Sequence, residues 1–168
     1  MKDINEIFNK ASSYMEEKKY DKAFFLFAKG ADKGDSSCQL NLGYLYENGL
    51  GIKKDIIKAL FWYEKSSELG DYAGLSNIGL IYKEKGDFIS AKEWLQKAYK
   101  YGDIDALLEI AKIDINENKI TESKQLLKLL ITSSKEATEY SVQEAKKLLS
   151  TIEDGVSLQI QNKKDIKL

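Results

Sequence analysis

An alanine followed 11 residues later by Gly-Asp occurs three times, as Ala23 with Gly34-Asp35, Ala59 with Gly70-Asp71 and Ala91 with Gly102-Asp103. Nine residues beyond these glycines stand Gly43, Gly79 and Ala111, all small, and three further on come Tyr46, Tyr82 and Asp114. A fixed period constrains a chain more than composition does, because each period is one supersecondary unit that buries its apolar face only by stacking on a neighbour. Counting backwards, Ala11 and Tyr14 occupy the same two places ahead of Ala23. Four units result, about 3–35, 36–71, 72–103 and 104–135, the fourth degenerate. Each reads as helix, turn, helix, and the absence of proline from a chain rich in Lys, Glu, Leu, Ala and Ile leaves those helices uninterrupted.

Beyond the fourth unit, Val142, Ala145, Leu148, Leu149 and Ile152 form one apolar stripe, which predicts a capping helix over 138–153. The 168 residues suit a single helical domain, 1–154, followed by a C-terminal tail, 155–168. Val156, Leu158 and Ile160 alternate with polar residues, so a short hairpin is one reading of that tail. A flexible end is the other, and the expected one.

Composition then narrows function. The 26 basic residues, all Lys, face 27 acidic ones for a net charge of −1, so no nucleic-acid partner is expected. Cys38 is the single cysteine and histidine is absent, which excludes a disulfide framework, a zinc cluster, a Ser/His/Asp triad and a Cys/His pair. No cofactor, no metal and no enzymatic activity are expected. The start lacks a signal-peptide core and no segment approaches the roughly 18 apolar residues of a membrane span, so no membrane insertion and a cytoplasmic location are expected. Glu68, Asp71, Asp103 and Asp105 lie at unit junctions, where caps and solvated turns account for them better than an acid/base pair. Trp62, Tyr63, Trp94 and Tyr99 fall on second helices without interleaved basic residues, as core aromatics do and base-stacking platforms do not.

The second unit departs from the others by four residues: Gly43 to Ala59 is a step of 16, whereas Ala11 to Ala23 and Gly79 to Ala91 are steps of 12. The excess lies in ENGLGIKKD, Glu47 to Asp55, a loop with two glycines and two lysines. A phosphate loop needs a preceding strand and G-x-G-x-x-G or G-x-x-x-x-G-K-[ST], and neither occurs. Gly49 and Gly51 instead suit positive-φ turn positions, and Asp55 is placed to cap a helix from Ile56.

The run from Leu40 to Asp71 closely resembles a Sel1-like repeat, a longer relative of the tetratricopeptide repeat. Its landmarks are Leu42-Gly43, Tyr46, Gly49, Gly51, Asp55, Lys58-Ala59, Trp62-Tyr63, Lys65 and Gly70. Tyr72 to Asp103 has tetratricopeptide spacing at Gly79, Tyr82, Ala91, Leu95 and Ala98, and the resemblance extends loosely over roughly 3–135. It implies an all-α fold, an α-solenoid of antiparallel helix pairs. It also implies scaffold, adaptor or regulatory work through protein–protein interaction. The alternative is a bacterial immunity protein that neutralises a toxin domain, a role that short free-standing members also fill. A cysteine-rich branch associated with β-lactam binding pairs cysteines within its repeats, and Cys38 has no partner.

Helical angles assign the faces. Leu42, Leu45 and Tyr46 share one side, matched by Ile78, Ile81 and Tyr82 and then by Ile110 and Ile113, and should pack on neighbouring helices. Lys10 and Ser13 hold those places in the first unit, which marks the start of the stack. The opposite side of the first helices is the expected concave, partner-binding face. Repeat alignment places Phe8, Met15, Leu40, Tyr44, Glu47, Ser76, Leu80, Lys83, Leu108 and Lys112 on it. Packing across a narrow groove is the competing account of its apolar members. The partner's identity and the oligomeric state stay open at this level.

Overall fold

The computed structural model describes the backbone of residues 2–165 and the side chains of residues 4–155. Among the described residues there are nine α-helices and no strand. They pair as the period requires: α1 (Lys2–Glu16) with α2 (Tyr20–Asp32), α3 (Ser36–Asn48) with α4 (Ile56–Glu68), α5 (Ala73–Glu84) with α6 (Phe88–Lys100), and α7 (Ala106–Asn116) with α8 (Ile120–Thr132). The last, α9, covers Glu139–Asp165.

The glycines of the recurring Gly-Asp, Gly34, Gly70 and Gly102, all have positive φ, and at Gly34-Asp35 the pair is a stop followed by a start. Gly34 has φ +81°, the left-handed conformation that ends a helix at least cost to a residue without Cβ, and Asp35 then accepts a hydrogen bond from the Cys38 N–H at 2.7 Å to cap α3. Gly86-Asp87 repeats the device between α5 and α6, where the Asp87 carboxylate accepts from the Ser90 N–H at 3.1 Å.

Contacts divide the chain into two compact units, Met1–Ile78 and Gly79–Leu168, with the division falling inside α5. In the first, α1 packs on α2, α2 on α3 and α3 on α4 around Ala11, Ala23, Phe27, Leu42 and Leu45. Gly43 lets α3 close on α4, since a Cβ there would lie 2.7 Å from the Tyr63 ring. In the second, α6 packs on α7, α7 on α8 and α8 on α9 around Leu107, Leu108, Ala111, Leu127, Leu130 and Ala145. Leu42, Leu45, Ile78, Ile81, Ile110 and Ile113 are buried and Lys10 and Ser13 exposed, as the helical angles predict.

The C-terminal segment differs from its expectation. Helix α9 does not stop near 153 but continues to Asp165, so neither a flexible tail nor a hairpin describes residues 155–165; residues 166–168 of that expected tail lie outside the described residues. The helix passes Gly155 because one glycine costs only about 1 kcal/mol in a helix interior and no proline stands nearby to break it. Three alternating apolar residues without a partner strand do not outweigh propagation of a helix already nucleated.

Candidate protein-binding site

In the first unit, Leu40, Tyr44 and Glu47 lie on one stripe of α3. Tyr44 is 43% exposed, with Leu40 and Glu47 half-buried beside it. Glu47 is not a free rim charge: the Tyr63 hydroxyl, reaching across from α4, donates to its Oε2 at 2.5 Å. The ring of Tyr63 is wholly buried, and burial followed by the Glu47 contact pushes its phenol pKa up, so the hydroxyl keeps its proton as a donor. The result is an exposed aromatic ring beside a carboxylate of fixed orientation. Phe8 and Met15 are less available, being half-buried against the unit's core, with the Phe8 ring edge-on to Phe27 at 6.0 Å. For these two the packing account holds.

In the second unit, the Lys83 ammonium donates to Glu109 at 2.5 Å and the Lys112 ammonium donates to the same carboxylate at 2.8 Å. Burial alone would raise the pKa of Glu109, but hydrogen bonds from Lys112 and then Lys83 outweigh it and hold the group below the ordinary carboxylate value. Two cations thus surround one anion. Leu80, on α5, is half-buried, as is Ser76 on the part of α5 that belongs to the first unit. Leu108 is corrected outright: at 2% exposure it belongs to the buried cluster of Leu107, Ala111, Leu127, Leu130 and Ala145, so it has no open face to offer. Glu109 and the Tyr63 hydroxyl are the polar groups that sequence reading missed. Glu109 was visible as an acid three residues before Lys112, whereas the Tyr63–Glu47 pair joins residues 16 apart on different helices.

The glycine-rich loop turns the chain, as its motif logic implies. Gly49 ends α3 at φ +68° with its N–H on the Leu45 carbonyl. Gly51, at φ +69°, lies so close to the start of α2 that a Cβ would sit 2.3 Å from the backbone carbon of Tyr20. Asp55 caps α4 by accepting from the Lys58 N–H at 3.1 Å. The lone thiol has no chemistry to offer either, since Cys38 is fully buried and burial, with Asp35 beside it, pushes its pKa up to about 12. No group of His, Cys, Asp and Glu among the described residues could hold a metal ion, and no described helix is long and apolar enough to cross a membrane.

The Sel1 repeat family matches residues 13–35 and 36–71, and the tetratricopeptide repeat family matches residues 72–101. A comparison with curated proteins gave no significant match. Among solved structures the chain is similar to a Sel1 repeat protein from Oxalobacter formigenes, at 24% sequence identity and TM-score 0.71, over 88% of this chain and 62% of that one. It is also similar to a protective antigen present in uropathogenic Escherichia coli strains that displays an SLR fold, at 25% identity and TM-score 0.68, over 77% of this chain and 30% of that one. The chain therefore spans less than two thirds of the length of either. The likeness is one of fold, an all-α solenoid of helix pairs.

Proposed function

Because the chain is a Sel1-like and tetratricopeptide-like repeat protein, we propose that it acts as a non-catalytic module holding a partner protein against the exposed faces of its first helices. Repeats of these families generally mediate protein–protein interaction. The observation that carries the proposal here is Tyr44, a large ring left 43% exposed on α3 next to a carboxylate that Tyr63 holds in place. Interface anchors combine these qualities, an aromatic surface with little rotamer entropy to lose and a polar group already oriented. Leu80 and the Lys83–Glu109–Lys112 cluster supply the corresponding face of the second unit, with its charge reversed in sign.

Tyr44→Asp combined with Leu80→Asp tests the proposal. Capture of the partner from lysate by the immobilised chain should be lost while the circular dichroism spectrum and thermal midpoint stay near those of the parent. Retained capture by a folded double variant would place the partner on another surface. The captured protein's own activity then sorts the roles: a toxin domain silenced in the complex marks a neutralising protein, and an active enzyme or receptor marks an adaptor.

A further inference from the structure

The two units carry the same helical layout at equivalent repeat positions, with Ala23 matching Ala91, Gly43 matching Ala111 and Ile56 matching Ile120. In the first, aromatic side chains stand beside α3, next to a pocket of about 400 Å³ bordered by Tyr46, Asp55 and Lys58. The Phe24 ring meets Tyr46 edge-on at 5.4 Å, Trp62 packs against the unit's core, and Phe61 lies edge-on to Trp62 at 5.0 Å. The matching residues of the second unit are Lys92, Asp114, Leu126 and Gln125. None is aromatic, and the space stays open as a groove of about 540 Å³ walled by α6 and α8. Its apolar surface comes from Tyr99, Leu107, Ile110, Leu126 and Leu129.

The charges around this groove do not cancel. Lys92 donates to Asp114 at 3.1 Å and to Glu117 at 2.6 Å, and Lys119 donates to Glu117 at 2.6 Å. Glu122, on the α8 wall, is exposed, and its side chain makes no hydrogen bond or ion pair among the described residues. Asp114 and Glu117, the latter outside the groove's lining, thus balance Lys92 and Lys119 and leave the Glu122 carboxylate over. An occupant that completes the site fills an aromatic-sized gap and brings a positive charge to Glu122.

We infer that this groove is a second docking site, one that takes an aromatic side chain flanked by lysine or arginine from a partner protein. The first unit supplies its own rings at the matching positions, Phe24, Tyr46, Phe61 and Trp62. The excess carboxylate selects the flanking charge.

Three peptides separate the components: acetyl-Lys-Tyr-Lys-amide, acetyl-Lys-Ala-Lys-amide and acetyl-Glu-Tyr-Glu-amide, titrated into the full chain with the methyl resonances of Ile110, Leu126 and Leu129 as the readout. The first should shift those signals and bind about tenfold more tightly than either of the others, the factor expected from losing one ring or reversing the flanking charge. Gln125→Phe with Leu126→Trp transplants the residues that close the first unit and should abolish binding while the helical spectrum is kept. Should that variant fail to fold, Glu122→Lys, a change at an exposed position, must shift the preference towards the Glu-Tyr-Glu peptide. Tyr44→Asp should leave peptide binding unchanged, which keeps this site distinct from the first-helix face. Equal binding of the Tyr and Ala peptides, undiminished binding to the filled variant, or self-association that the filled variant loses would each overturn the inference, the last by making a second copy the occupant.

Discussion

At one pair of equivalent positions the two units solve the same packing problem with different chemistry. Phe24 and Tyr46 bring two rings together at 5.4 Å in the first unit, and Lys92 and Asp114 bring an ion pair together at 3.1 Å in the second. Rings fill volume and resist salt and pH, whereas an ion pair fills less space and answers to both. The first unit should therefore respond to lost volume and the second to lost charge.

The largest effect expected from this difference lies in truncation. Trp62→Ala removes a ring packed on the core of the first unit and should cost about 3 kcal/mol, at the lower end for such changes because Trp62 is only half-buried. Leu126→Ala, the matching change in the second unit, borders an open groove and should cost about 1 kcal/mol. Urea unfolding of both variants measures the gap, and equal losses would mean that the groove is closed in solution.

Removing charge should rank next and separate the units by salt dependence. Asp114→Ala leaves a largely buried Lys92 with Glu117 as its carboxylate partner among the described residues and should cost about 2 kcal/mol, a loss that shrinks as salt screens the parent's pair. Phe24→Ala should cost a similar amount at any salt concentration. Importing the first unit's solution into the second, Lys92→Phe with Asp114→Tyr, sharpens the comparison. A desolvated ion pair replaced by well-packed apolar groups is commonly neutral or better, so the double variant should stay within about 1 kcal/mol of the parent or exceed it. A loss as large as that of Asp114→Ala would show that the helices of the second unit do not offer the rings the same space.

The period was legible in the sequence because its marks are backbone requirements. Gly34 and Asp35 form a helix stop and a helix start, and few other residues do this as well. Where the marks were missing the units looked degenerate, yet the backbone is the same. Lys18 at φ +57° and Asn118 at φ +61° adopt the turn that Gly86 adopts at φ +79°, and Lys19 and Lys119 precede α2 and α8 without a side-chain cap. Burial of Ala23, Phe27 and Leu127 outweighs the penalty of about 1 kcal/mol for such a turn, so packing preserves what local propensity has abandoned. The site was only partly readable. Tyr44 is exposed on α3, but Leu108, at the equivalent face of α7, is buried in a cluster drawn from α7, α8 and α9, and burial by distant helices leaves no mark on the residue itself. The groove was harder still, because it depends on four positions, Lys92, Asp114, Gln125 and Leu126, that lack the rings of their counterparts on three different helices. Asp114 in place of Tyr46 and Tyr82 was a trace of it that the repeat spacing exposes.

The smallest expected effect is a difference in acid response. Glu109 and Glu117, in the second unit, have pKa values held below the ordinary one, Glu109 by Lys112 and Lys83 against the pull of burial, and Glu117 by Lys119 and Lys92. A carboxylate lowered by folding contributes stability above its unfolded pKa, about 4.3 for Glu, and loses that contribution as pH falls through the folded value. Asp71, in the first unit, is shifted the other way, chiefly by burial and further by the Asp35 charge. Its ionisation opposes folding, so acidification relieves the first unit over the window in which it strips the second of support. The opposing Glu17–Lys19 pair is exposed and screened, and should not reverse this. Trp94→Phe leaves Trp62 to report on the first unit, and Trp62→Phe leaves Trp94 to report on the second. Between neutral pH and about pH 4, where carboxylates begin to protonate, the urea midpoint seen by Trp94 should fall further than that seen by Trp62. Midpoints that move together would mean that the two units share one electrostatic response, whatever chemistry fills the space beside α3 and α7.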